Sequence, residues 1–453
     1  MVSPDPGSFR DPASRIVLDG IRVLRLLDPR GLEGWRALAG TDFFSSAVAD
    51  RRLIETTEIS DVPPGSAGAL EHPRLPFISY PYEWTFTMLK DAALLQLDLL
   101  RDALSAGLTI KDATPYNIQF VQGRPMFIDI GSFEAYQPGE PWIGYRQFTR
   151  QFLFPLMLRA WIGVPFQPWL RGDTEGPTPA QMARLLGRKK WFNAGALLHV
   201  RLQARVEARM AGRSVRDDLK TAGFSAELIQ ANVRKLRSLV SSFEWAHSGE
   251  GWSGYGSCDH VSRDRTAKSE FLKSAIERTH PRRVLDLGAN DGHFSKMAAE
   301  AGADIIAVDS DEAVLDDLYR RSEGLSIAVV LTDLANPSPA QGWAGTERSS
   351  VADRAHPDLV IAYGLIHHLI YHASIPPREV VRWLRTFECP VVVEFVSPAD
   401  EMVGKLIGNK LAHELHPNRD EVNFRALAEE IFDIVDETNL SSGTRALFSL
   451  QPR

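Results

Sequence analysis

"RRVLDLGANDGHFSKMAAEAG", residues 282–302, joins an apolar strand to a helix through a turn that holds Gly288, Asn290 and Gly292. Glycine is required because the chain turns sharply there and must let a ligand approach the backbone. Working outward, the runs "DIIAVD", "IAVVLTD", "DLVIAYG", "PVVVEF" and "ALFSLQP" alternate with helical segments. That alternation predicts an α/β fold with a mostly parallel, doubly wound sheet. Asp309 closes the second strand about 20 residues past the turn, the place for an acid that accepts hydrogen bonds from ribose hydroxyls. Asp333 closes the third strand, placed to meet an adenine amino group, and Asp358 opens the fourth, which runs into "IAYGLIHHL". A nicotinamide site would share the ribose acid, but it wants G-x-G-x-x-G without an acid just before the first glycine, and "DLGANDG" fits that poorly.

The chain has 453 residues, enough for two or three domains, with 44% hydrophobic and 24% charged residues. No stretch has the length of a membrane span, and the start "MVSPDPGSFRDP" lacks the basic-then-apolar order of a signal peptide. A cytoplasmic location without membrane contact is expected. Cys258 and Cys389 are the two cysteines, too few for a disulfide framework or a cysteine-rich zinc site. A net charge of −7 argues against nucleic acid as a partner. Residues 1–14 are expected to be disordered or loosely attached. Residues 15–245 form a first domain with a helical extension, and 246–453 a second, joined around the glycine- and serine-rich "AHSGEGWSGYGS".

The strand-end acids and glycine loop of the second domain resemble the class I S-adenosylmethionine-dependent methyltransferases. On that resemblance Asp286, Gly288, Asn290 and Gly292 match the first motif, Asp309 the ribose acid and Asp333 the adenine-side acid. Leu334 and Tyr363 stand with them as cofactor-side positions. Upstream, "WSGYGSCDHVSRDRTAKSEFL" is similar to the family's lead-in, so that Tyr255 and Lys268 would close over S-adenosylmethionine. Methyl transfer is a direct displacement; the protein aligns the acceptor and, where needed, removes a proton. His367 and His368 follow the fourth strand and titrate near neutrality, which makes them the candidate bases. The alternative, one packed in the core and the other orienting a loop, stays open. Glu394 and Asp400 are further pocket candidates, and His413 and His416 are expected on the surface of a helix end. The chain has no Asn/Asp-Pro-Pro-aromatic tetrapeptide after the fourth strand and no Pro-Cys pair. With the acidic charge, this leaves a hydroxyl or amine on a small molecule or saccharide as the expected acceptor.

In the first domain, "DATPYN" has the D-x-x-x-x-N spacing of a kinase catalytic loop, and "FIDIGS" resembles the metal-binding turn that follows it. A helix through Phe86, Leu89, Ala93, Leu97, Leu100 and Leu104, capped at Gly107, leads into that loop, preceded by an extended "FISYPYEW". The segment resembles the protein-kinase and aminoglycoside-phosphotransferase superfamily, which implies an α+β kinase-like domain. There the residue matching Asp112 orients the acceptor hydroxyl, and those matching Asn117 and Asp129 hold magnesium. The phosphate-gripping parts are missing: the first lysine is Lys90, beyond the hinge-like segment, and Gly20, Gly31, Gly34 and Gly40 form no glycine-rich loop. Arg22 or Arg25 is a poor substitute for that lysine. The domain is therefore expected to bind substrate or serve as scaffold, with magnesium implied only where the Asp112, Asn117, Asp129 pocket is functional. The alternatives are a bifunctional methyltransferase and phosphotransferase, or a non-catalytic binding protein.

As a whole the chain resembles the bacterial group that includes the rhizobial NoeA nodulation proteins, through "YPYEW", "KDATPYN", "FIDIGSFE", the glycine loop and "IHHL". That resemblance suggests secondary metabolism or glycan modification. The oligomeric state is not legible.

Overall fold

The computed structural model of the chain describes residues 2–187, 199–200, 225–245, 259–408, 410–411, 414–417 and 419–453. The chain divides into two compact units, Met1–Ala246 with Ala340–Arg348, and His247–Pro339 with Ser349–Arg453. Tyr255, His413 and the glycine-rich joint lie outside the described residues.

The first unit carries a five-stranded antiparallel sheet in the order β1 (Val2–Pro4), β2 (Ser14–Asp19), β3 (Arg22–Leu27), β5 (Gly68–His72), β4 (Thr57–Ile59). Helices α1 (Pro29–Ala39) and α2 (Asp42–Ala49) follow β3. Helix α3 (Phe86–Ser105) buries all six of the apolar positions that its spacing singles out. Thr85 caps its start by accepting from the Met88 amide, and Gly107 lies just past its end at φ +76°. Beyond it, β6 (Leu108–Ile110) pairs with β9 (Phe133–Ala135), and β7 (Ile118–Val121) with β8 (Arg124–Phe127). Gln122 and Gly123 turn the β7–β8 hairpin at φ +52° and +73°, the conformation a two-residue hairpin requires. Asp112, Asn117 and Asp129 sit at the ends of these short strands. Helix α4 (Ala226–Ser241) packs on α3, where Arg237 holds Asp98 at 2.8 and 3.0 Å.

Three expectations are corrected here. The amino terminus is not disordered: β1 pairs with β2 from Val2 to Pro4, and the Ser8 hydroxyl accepts from the Ile16 amide at 2.7 Å. Arg10 then grips Glu347 through two bonds of 2.7 and 2.9 Å, so that Ala340–Arg348, expected in the second domain, packs with the first unit. "FISYPYEW", expected to be extended, is interrupted by a 3₁₀ turn at Pro81–Glu83.

The second unit opens with helix α5 (Asp259–Thr279). Its seven-stranded sheet uses β10 (Arg283–Leu287), β11 (Asp304–Asp309), β12 (Ile327–Leu331), β13 (Leu359–Ala362), β14 (Val391–Val396), β15 (Phe432–Asn439) and β16 (Arg445–Pro452). The order is β12-β11-β10-β13-β14-β16-β15, with β10 to β14 parallel and β16 antiparallel to both neighbours. β13 and β14 are buried along their whole length, which explains their apolar sequences, broken only by Glu394 in β14. Helices α6 (His293–Glu300) and α7 (Glu312–Arg321) connect the first three strands. β15, "FDIVDETN", escapes sequence reading because it is an exposed edge strand whose alternation is broken by a register shift between Ile434 and Asp436. The antiparallel β15–β16 hairpin separates this sheet from an all-parallel dinucleotide-binding sheet. Among the described residues no helix is long and apolar enough to cross a membrane.

Candidate functional site

The glycine loop leaves β10 and is latched to β11, where the Gly288 and Ala289 amides both donate to the Val308 carbonyl at 2.8 and 3.0 Å. Gly288, Asn290 and Gly292 take φ of +78°, +47° and +73°. At Gly292 packing adds to the demand, since a Cβ would lie 2.3 Å from the Leu318 Cδ1. Asp309 at the end of β11 accepts from the Asn290 amide on one oxygen and the Asp311 amide on the other, both at 2.9 Å. Burial raises its pKa above the ordinary carboxylate value.

Loop and strand ends enclose a cleft of about 650 Å³, large enough for a nucleoside-sized ligand. It opens at the carboxyl ends of β10 and β13, the switch point where doubly wound sheets bind ligands. Gly288, Asn290 and Asp309 line one side, and Asp333 and Leu334 continue it. Lys268 and Tyr363 line another, with the Tyr363 hydroxyl donating to the Lys268 carbonyl at 3.2 Å and its ring meeting Phe294 edge-on at 4.8 Å.

Two of the expected residues stand behind this surface. Asp286 is buried beneath the loop, its carboxyl pushed up to about 7 by burial although the Ser295 hydroxyl donates to it at 2.6 Å. It ties α6 to β10 and does not line the cleft, and Gly292 likewise serves packing.

The histidines part company. His368 lines the cleft, and burial followed by the charges of His372 and Arg445 pushes its pKa down to about 4. His367 is 1% exposed, lies outside the cleft lining, and has no hydrogen-bond partner on either ring nitrogen among the described residues. Burial holds its pKa well below the ordinary value. His368–His372 forms a single π turn, a distortion that recurs at functional sites and brings His372 to the cleft beside His368. Of the remaining histidines, His416 sits in the connection before helix α8, defined as Glu421–Glu429, with its ring against the Ser374 carbonyl at 2.7 Å. It is not at a helix end.

Sequence reasoning missed Arg265, His372 and Arg445 in the cleft lining. Helical spacing could have found the first two, which stand three positions before Lys268 and four after His368. Arg445 could not be found this way, because it reaches the cleft through the antiparallel register Val396↔Arg445. Glu394 and Asp400 lie behind the lining as buried partners of Lys268 and Arg445.

In the first unit, Asp129 accepts an ion pair from Arg25 at 2.8 Å, while Asn117 donates to the Ser132 hydroxyl at 3.0 Å and to Asp129 at 3.4 Å. Arg25 is 7% exposed and also holds the Ser14 hydroxyl at 2.8 Å; Arg22 is engaged with Glu71 instead. Burial, followed by the charge of Asp129, raises the Asp112 pKa. Among the described residues no group of three or more His, Cys, Asp or Glu side chains has metal-holding geometry.

No protein-family model matches the chain. It is 32% identical over 463 residues to the Nodulation protein NoeA of Rhizobium meliloti (strain 1021), covering 98% of this chain and 95% of that protein. The chain belongs to the NoeA family. Among solved structures, N-methyltransferase NodS from Bradyrhizobium japonicum WM9 matches 43% of this chain and 100% of its own, at 14% identity and a TM-score of 0.32. Magnesium protoporphyrin IX methyltransferase from Synechocystis PCC 6803 matches 43% of this chain and 89% of its own, at 18% identity and a TM-score of 0.29. At such scores these likenesses carry no argument about activity.

Proposed function

We propose that this NoeA-family chain is an S-adenosylmethionine-dependent methyltransferase acting on an oxygen or nitrogen of a small molecule or saccharide. The observation that carries the reading is the cleft at the carboxyl ends of β10 and β13, with a positive-φ glycine loop on one side and Asp309 at the end of the next strand. S-adenosylmethionine supplies an electrophilic methyl group on a sulfonium. Gly288 and Asn290 offer it a close backbone approach, Asp309 the acceptor for ribose hydroxyls, and Asp333 with Leu334 the adenine side. Lys268 and Tyr363 also line the cleft. His368 is the group assigned to proton removal, because it lines the cleft; burial keeps its imidazole neutral at pH 7 and also makes it a weaker base than a free imidazole. His367 supports it from the core side. Calorimetry decides the reading. The wild type is expected to bind S-adenosylmethionine and Asp309→Ala to bind it at least tenfold more weakly; no binding by the wild type overturns the proposal.

The first unit, read as kinase-like from "DATPYN" and "FIDIGS", serves in this proposal as a substrate-binding or scaffold element. The Arg25–Asp129 ion pair supports that role over phosphotransfer, since a guanidinium already neutralises the carboxylate that a magnesium ion would need. Magnesium-dependent ATP turnover by the full chain would reverse this choice.

A further inference from the structure

Lys268 and Arg445 both line the cleft, and the carboxylates that balance them stand behind the lining. Glu394, on β14, is 0% exposed and accepts from Lys268 Nζ at 2.8 Å, Arg445 Nη1 at 3.2 Å and the Gly364 amide at 2.8 Å. Asp400 is committed to Arg445 through bonds of 2.9 and 3.1 Å, and to the Thr444 hydroxyl and Met402 amide. Two cations and two carboxylates thus form a neutral, nearly dry network. In such a setting a single unbalanced charge has a long reach, because little water screens it.

We infer that Glu394 is a positioning residue that sets the charge of this cleft wall, allowing the cleft to accept a sulfonium beside two cationic side chains. The inference rests on the methyltransferase reading and adds to it how the cleft distinguishes its ligands. S-adenosylmethionine carries one positive charge more than S-adenosylhomocysteine and is otherwise nearly the same shape. With Glu394 neutralised, Lys268 and Arg445 face the cleft with one carboxylate fewer behind them, and the added positive charge opposes the sulfonium but not the thioether. A residue that merely supported packing would affect both ligands alike.

The test is calorimetric titration of the full chain with each ligand separately. Glu394→Gln keeps the side-chain shape and its acceptor for the Gly364 amide; it is expected to weaken S-adenosylmethionine about tenfold more than S-adenosylhomocysteine. Lys268→Met removes a cation and is expected to shift the same affinity ratio in the opposite direction, which keeps the inference testable if the first variant does not fold. Equal weakening of both ligands, or an unchanged ratio in both variants, overturns the role of Glu394 while leaving the methyltransferase reading intact. A wild type that binds neither ligand overturns that reading first, and the inference with it.

Discussion

Both units place an aspartate at the end of a strand, and they treat it in opposite ways. Asp309 is held by two backbone amides, neutral donors that leave its negative charge available to the cleft. Asp129 is held by the guanidinium of Arg25, which cancels its charge within the protein. Similar acids at similar positions thus give one site that can still engage a ligand and another whose requirements are met internally. The partner of a carboxylate, more than its presence, decides whether it is available for chemistry.

Removing the internal cation is the strongest way to break this contrast. Arg25→Met leaves Asp129 with Asn117 and Ser132 as partners and is expected to cost the first unit about 3 kcal/mol, read from urea unfolding followed by the tryptophan fluorescence of that unit. If stability is unchanged, the ion pair is not what closes the pocket. On the other side of the comparison, Gly292→Ala forces a methyl group into Leu318 at a positive φ and is expected to cost about 2 kcal/mol, with weaker binding of S-adenosylhomocysteine as a second readout.

Two smaller effects sharpen the comparison through pH. Asp286 keeps its proton to about pH 7 in the folded state, whereas the unfolded chain releases it near 3.8. Between those values the folded state binds more protons, so this contribution to the second unit is complete below pH 3.8 and fades as pH rises through about 7. Asp286→Asn is expected to flatten the decline of the urea midpoint between about pH 4 and 7. Glu347 in the first unit has the opposite sign: the Arg10 hydrogen bonds are the largest cause that holds its pKa at about 2, against an ordinary 4.5. Its contribution is present above pH 4.5 and lost as pH falls toward about 2. Arg10 is 66% exposed, so solvent screens the pair and its effect is the smallest here. Arg10→Ala should lower the melting temperature slightly at pH 7 and leave it unchanged near pH 2, which reduces its acid sensitivity between pH 5 and about 2.

Much of the second unit was legible because its signals are local. An apolar run marks β13 and a run broken only by Glu394 marks β14, glycines mark a turn at positive φ, and Asp309 and Asp333 stand at or just past the ends of their strands. The resemblance placed Asp286 on the cofactor side, but its side chain is buried against α6, where the Ser295 hydroxyl donates to it. The chain-local view named both His367 and His368 as candidate bases and left open that one packs in the core; in the fold His368 lines the cleft and His367 is the one in the core. The amino terminus looked too polar and proline-rich to order, yet its backbone finds a free edge at β2 and Arg10 finds Glu347. Composition does not report such partners.

Residue order alone set out the candidate chemistries, since helical spacing, strand length and the conformational freedom of glycine depend on near neighbours in the chain. Folding selected among them. Arg25 meets Asp129, and Glu394 meets Lys268 across 126 positions of chain, through strand registers and helix packing that no local pattern encodes. The reason lies in electrostatics: a charge acts through the space around it, and that space is filled by residues distant in sequence.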